Sequence, residues 1–182
     1  RLSGCSNDAM AMASVLKTDA NGDPNFKNIV LTSAEDYLGR EKLEDQIREL
    51  FSGDCNVALL YFAGHGSFDT DADEGMLIPQ DYKSAKDGIR LSDILNWATK
   101  ATKIKNKVII LDCCQSGSAG ELRALRSECA VIGEGMTILT ACKKAEPAME
   151  GSQHGVFTGL LLQALHGGAA NILGKITPGS LY

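Results

Sequence analysis

A chain of 182 residues with 44% hydrophobic and 23% charged residues can bury a single core, which excludes a disordered tail and a small disulfide scaffold. Its 18 Lys and Arg against 23 Asp and Glu leave a net charge of -5, so no global basic field exists to hold nucleic acid or an anionic membrane, and cationic partners are favoured. No apolar run approaches the roughly 20 residues of a bilayer span, and no charged-then-apolar leader opens the chain.

The first element in chain order is an amphipathic helix over Asp8 to Lys17, followed by a strand at Asn28 to Thr32 (NIVLT). A helix over Arg40 to Phe51 then leads to the most apolar strand, Asn56 to Ala63 (NVALLYFA). Leu91 to Thr102 reads as a helix with Ser92 as its cap before Asp93, and Lys107 to Leu111 (KVIIL) and Met136 to Ala141 (MTILTA) read as strands. A last helix covers Val156 to Leu165 and closes at Gly167-Gly168. The strands are continuous apolar runs rather than alternating ones, which predicts burial on both faces and parallel pairing. Their alternation with helices predicts an open sheet with helices on both faces, and in such sheets chemistry gathers beyond the carboxyl ends of the strands. Two segments fall there: Gly64-His65-Gly66 after the second strand, and Asp112 to Gly117 after the third. There is no internal repeat, and the only acidic cluster is Asp69, Asp71, Asp73 and Glu74.

His65 between two glycines suits a base at a sheet edge, because glycine lets the backbone turn and approach a ligand. Cys114 ends another apolar strand and is followed by Ser116, Gly117, Ser118 and Gly120, small residues that leave room for a substrate backbone and for N–H donors. Two strand ends of one parallel sheet can bring His65 and Cys114 together across 49 positions, close to the roughly 50-residue His-to-Cys spacing of one cysteine-protease family. Cys113 is the rival nucleophile. The six cysteines include no Cys-x-x-Cys pair, and the three histidines stand far apart; zinc spacings are absent and reduced thiols in a cytoplasmic protein are expected.

The pair Y-F-A-G-H-G (Tyr61 to Gly66) and I-I-L-D-C-C-Q-S-G (Ile109 to Gly117) resembles the caspase-homologue superfamily of cysteine peptidases, clan CD, family C14. Within it, D-x-C-x-S-G resembles the metacaspase and prokaryotic caspase-like branch. Further similar strings are L-S-G-C-S-N-D-A (Leu2 to Ala9), I-P-Q-D (Ile78 to Asp81), L-S-D-I (Leu91 to Ile94) and T-A-C-K-K-A-E-P-A-M-E (Thr140 to Glu150) followed by G-V-F-T to Thr158. The resemblance implies a three-layer α/β/α sandwich with a mainly parallel sheet. It also implies one peptidase domain over 1–182, with a larger part to about 120, a loop to about 135 and a smaller C-terminal part from about 136. It implies His65 as general base, Cys114 as nucleophile, and the N–H groups of Gly66 and Cys114 as oxyanion hole. Asp8 and Asp112 would bind the residue before the scissile bond, and two carboxylates in a closed pocket select Arg or Lys. The implied partners are protein or peptide substrates cut at basic residues, and a regulatory partner or fused sensor domain, with no nucleic acid and no membrane. A stress or defence role is implied in the same way. The family also places a strand before the Gly4-Cys5 loop and further sheet after the last helix, so this chain is expected to lack the first strand and to belong to something longer.

Asp8 has a second reading as a capping or first-turn aspartate of its helix. No cofactor is required, and calcium is left open. As an EF-hand loop, Asp69 to Gly75 fails: glycine falls one place late and Gln80 stands where the bidentate Glu belongs. The D-D calcium pair of many metacaspases reads Ser92-Asp93 here, one ligand short. Arg123 and Arg126, in the polar stretch Gly120 to Gly135, are candidate self-cleavage sites, or else ordinary charges on a solvated helix. His166 suits a helix's last turn, His154 reads as a surface loop residue, and Trp97 reads as packing. Two rival functions stand beside the peptidase. One is a caspase-fold scaffold or sensor without strong catalysis. The other is a small-ligand or nucleotide binder, ranked last because both glycine-rich phosphate motifs are absent.

Overall fold

The computed structural model describes residues 3–115, 135–141 and 154–181. Among them lie helices α1 (Ser3–Lys17), α2 (Arg40–Ser52), α3 (Leu91–Lys100) and α4 (Val156–Gln163). The strands are β1 (Val57–Asp69), β2 (Glu74–Leu77), β3 (Ile89–Arg90), β4 (Asn106–Gln115) and β5 (Met136–Thr140). The chain forms two compact units: Tyr37–Glu146, and Arg1–Asp36 together with Pro147–Tyr182.

The first unit is built on a five-stranded sheet in the order β3-β2-β1-β4-β5. β1, β4 and β5 are parallel, while β2 returns antiparallel from β1 and β3 antiparallel from β2. The apolar runs explain the parallel part. Val108, Ile109, Ile110 and Leu111 of β4 are each 5% exposed or less, so consecutive residues are covered on both faces. α2 turns Ile47 and Phe51 inward, one helical turn apart, and α3 turns in Leu91, Ile94 and Ala98. These side chains meet Ala58, Leu60 and Phe62 of β1 and Ile109, Leu111 and Cys113 of β4 on one face of the sheet. This is the α/β architecture the sequence implies.

Two strands extend further than their apolar runs. β1 continues through Gly64-His65-Gly66 to Asp69, because the hairpin with β2 supplies hydrogen-bond partners where the apolar run stops, with Gly66 opposite Leu77 and Asp69 opposite Glu74. β4 continues through Asp112, Cys113 and Cys114 to Gln115. The histidine and cysteine segments therefore lie inside strands rather than after them. The acidic cluster is the hairpin tip, where Asp69 Oδ1 accepts from the N–H of Asp71 at 3.1 Å and of Ala72 at 3.3 Å, as aspartates do in tight turns.

Three local expectations are corrected. Asn28 to Thr32 is not a strand: Ile29 is 65% exposed, and among the described residues the segment has no ladder partner, without which an apolar run cannot satisfy its backbone as sheet. Ser92 does not cap α3, which starts at Leu91 after Arg90; the N–H of Ser92 instead donates to Glu74 Oε1 at 3.0 Å, so a β2 carboxylate supplies the cap. α1 begins at Ser3, well before Asp8, which removes the capping and first-turn readings of that aspartate.

The second unit packs α1 against α4. Met12 and Leu16 of α1 and Leu161 and Leu162 of α4 are buried. Asn28 Nδ2 donates to Ala13 O at 2.7 Å and holds the following segment to α1. The last helix closes as the sequence implies, through a wide turn over Ala164–Gly168 in which Gly167 takes φ 113°, a conformation that favours glycine.

Candidate active site

In the parallel ladder between β1 and β4, His65 is the register partner of Cys114, with Gly64 beside Cys113 and Ala63 beside Asp112. Neighbouring strands are about 4.8 Å apart, and register partners of a parallel pair share a face. Successive residues alternate, so His65, Asp112 and Cys114 occupy the face opposite the α2 and α3 core. Cys113 occupies the core face, half-buried among the apolar residues there. His65 is exposed, and Asp112 is half-buried. The fold thus sets a base, a thiol residue and a carboxylate at one end and on one face of the two central strands.

Gly64 and the I-P-Q-D string hold this end in place. A Cβ on Gly64 would come within 2.8 Å of Phe62 Cζ, so only glycine lets β1 pass that ring without displacing it. On the other edge of β1, the N–H of Ile78 donates to His65 O at 3.0 Å. Two residues on, the N–H of Gln80 donates to Leu38 O at 2.9 Å, and its side-chain oxygen accepts the N–H of Leu38. Asp81 then accepts the N–H of Arg40 on both carboxylate oxygens, at 2.9 and 3.1 Å, and so caps α2. A continuous backbone link therefore runs from His65 to the start of α2. The sequence signal for it was the polar Gln-Asp pair directly after a short apolar segment, a pattern that only a resemblance had singled out.

Asp8 lies in the second unit and Asp112 in the first. Asp8 is 4% exposed, and both its oxygens are engaged. His154 Nδ1 is 2.8 Å from Oδ1, and the N–H of Gly155, at the start of α4, donates to Oδ2 at 3.3 Å. His154 is therefore not a plain surface loop residue. Its side chain is 30% exposed and spans the gap between α1 and α4 to a buried carboxylate. With 146 positions between the partners, no local sequence pattern could reveal the pair.

The remaining candidates resolve simply. His166 Nδ1 hydrogen-bonds Leu162 O at 2.7 Å, as a last-turn residue should. Trp97 packs against the core of the first unit, and the guanidinium carbon of Arg48 stands 4.2 Å from its ring centroid. Cys5, Cys55 and Cys113 are thiols rather than disulfides. Among the described residues, no three His, Cys, Asp or Glu side chains come together as a metal site, and no helix is long and apolar enough to cross a membrane. Arg123, Arg126 and the small residues from Ser116 to Gly120 lie outside the described residues.

Comparison with protein families matches the caspase domain of peptidase family C14 over residues 1–176. Comparison with curated proteins finds no match. A match over nearly the whole chain, on a mixed sheet whose parallel core pairs a histidine strand with a cysteine strand, shows that this chain belongs to the caspase-domain family of cysteine peptidases.

Proposed function

We propose that this protein is a cysteine endopeptidase that cleaves peptide bonds after Arg or Lys, with His65 as general base and Cys114 as nucleophile. One observation carries the reading: His65 and Cys114 are partners on a single rung of the β1–β4 ladder. In the proposed reaction the imidazole takes the Cys114 thiol proton, and the thiolate sulfur bonds to the scissile carbonyl carbon. The tetrahedral oxyanion collapses, the C–N bond breaks, and the imidazolium gives its proton to the leaving amine. A water deprotonated by His65 then attacks the thioester, releasing the carboxylic acid and restoring the thiol.

The oxyanion role of Gly66 and Cys114 carries a structural condition. The ladder opens with the N–H of Asn106 donating to Asn56 O at 3.0 Å, and two-residue alternation turns the N–H groups of Cys114 and Gly66 toward the same β1–β4 seam. They serve an oxyanion only when these last rungs open to admit substrate. Asp8 and Asp112 supply the negative charge that selects a basic residue, bidentately where that residue is arginine. The same preference makes Arg123 and Arg126 candidate sites of self-cleavage.

Hydrolysis of fluorogenic peptides ending in Arg, Lys or Asp tests the proposal, using the wild type, Cys114→Ala and His65→Ala, with and without calcium. The expected result is cleavage after Arg and Lys that both substitutions abolish. Cleavage after Asp alone would overturn the specificity, and no cleavage of any peptide would favour a scaffold or sensor.

A further inference from the structure

The contact between His154 and Asp8 is more than a tie between two helices. A carboxylate has about four lone-pair directions, two on each oxygen. In Asp8 one direction on Oδ1 is taken by His154 Nδ1 at 2.8 Å and one on Oδ2 by the N–H of Gly155 at 3.3 Å. The Gly155 contact is long and made by backbone, whereas the His154 contact is short and made by a side chain. His154 therefore decides how the plane of the carboxylate is turned, and so where its remaining lone pairs point. A cationic substrate group gains a bidentate, charge-assisted contact only when that plane is correctly oriented.

We propose that His154 is a specificity-positioning residue, which holds the buried Asp8 carboxylate in the orientation that receives the cationic side chain of the substrate. It does not touch the scissile bond. This rests on the reading of Asp8 as a substrate-binding carboxylate, and it adds a residue that the sequence had placed on the surface.

The test compares kcat and KM for peptides with Arg or its neutral isostere citrulline before the scissile bond, using the full chain of the wild type, His154→Leu, His154→Asn and Asp8→Asn. Thermal melting of each variant shows that it is folded. His154→Leu removes the donor and is expected to raise KM for the Arg peptide about tenfold with kcat little changed, narrowing the Arg-to-citrulline ratio. His154→Asn places an amide N–H near the position of Nδ1 and is expected to restore most of that ratio. Should the Leu variant not fold, His154→Gln carries the test, because its donor sits one bond further out; a ratio reduced at least about threefold is then expected.

A wild-type ratio in His154→Leu or His154→Gln, with the ratio collapsed in Asp8→Asn, overturns the role of His154 and leaves that of Asp8 standing. A wild-type ratio in Asp8→Asn overturns both. An equal fall in kcat for both peptides without change in KM would mark His154 as structural only.

Discussion

Cys113 and Cys114 are adjacent in sequence but occupy opposite faces of β4, Cys113 with the α2 and α3 core and Cys114 with His65. A strand turns successive residues to opposite sides, so a shift of one position exchanges a core-face position for the one in register with His65. Cys113→Ala is accordingly expected to keep kcat/KM within about twofold while losing about 1 kcal/mol of stability in urea unfolding, from the lost apolar volume. Loss of cleavage in Cys113→Ala with retention in Cys114→Ala would reverse the assignment.

Gly135 sets the entry to β5. Its φ is +77°, and a Cβ there would stand 2.1 Å from Lys105 O, a backbone atom that cannot move aside cheaply. Its own carbonyl accepts the N–H of Lys107 at 2.7 Å at the start of the β4–β5 pairing. Gly135→Ala should lower stability by more than about 2 kcal/mol, from strain and clash together, as a shift of the denaturation midpoint. An unchanged midpoint would show that the turn is not held in this conformation.

Asp81 caps α2 from outside the helix, which has no side-chain cap of its own at Gly39. Asp81→Ala is expected to cost about 1 kcal/mol, and Asp81→Asn much less, since asparagine is as good a cap. The same loop reaches His65 through Ile78, so activity of the Ala variant should fall with little change in preference for Arg over Lys. Unfolding curves and the two-substrate ratio check both parts.

The proposed preference for basic residues predicts self-cleavage. Wild-type protein incubated alone should yield two fragments whose junction lies after Arg123 or Arg126, and Cys114→Ala should stay whole. Arg123→Gln combined with Arg126→Gln should also stay whole while still cleaving Arg peptides. Mass spectrometry of the fragments decides between the two sites, and an intact, active wild type would refute the step.

The sheet core was legible because burial on both faces leaves a continuous apolar signature, as in Val108 to Leu111. The rest was hidden for identifiable reasons. β1 runs on through Gly64, His65 and Gly66, and β3 is only Ile89–Arg90, segments too glycine-rich or too short to carry a period. Asn28 to Thr32 has the composition of a strand but no ladder partner among the described residues. At the site, His65 and Cys114 could be named from their flanking residues, and the rung that joins them required the register. The pairing of His154 with Asp8 joins distant parts of the sequence through tertiary packing alone, and so does the capping of α3 by Glu74.

The proposed His65–Cys114 dyad is tested most directly by the rate of Arg-peptide cleavage by the wild type, Cys114→Ala and His65→Ala, each folded by thermal melting. Robust cleavage by the wild type and a loss of at least about a thousandfold in either variant are expected. Cleavage that survives Cys114→Ala at the wild-type rate would contradict it.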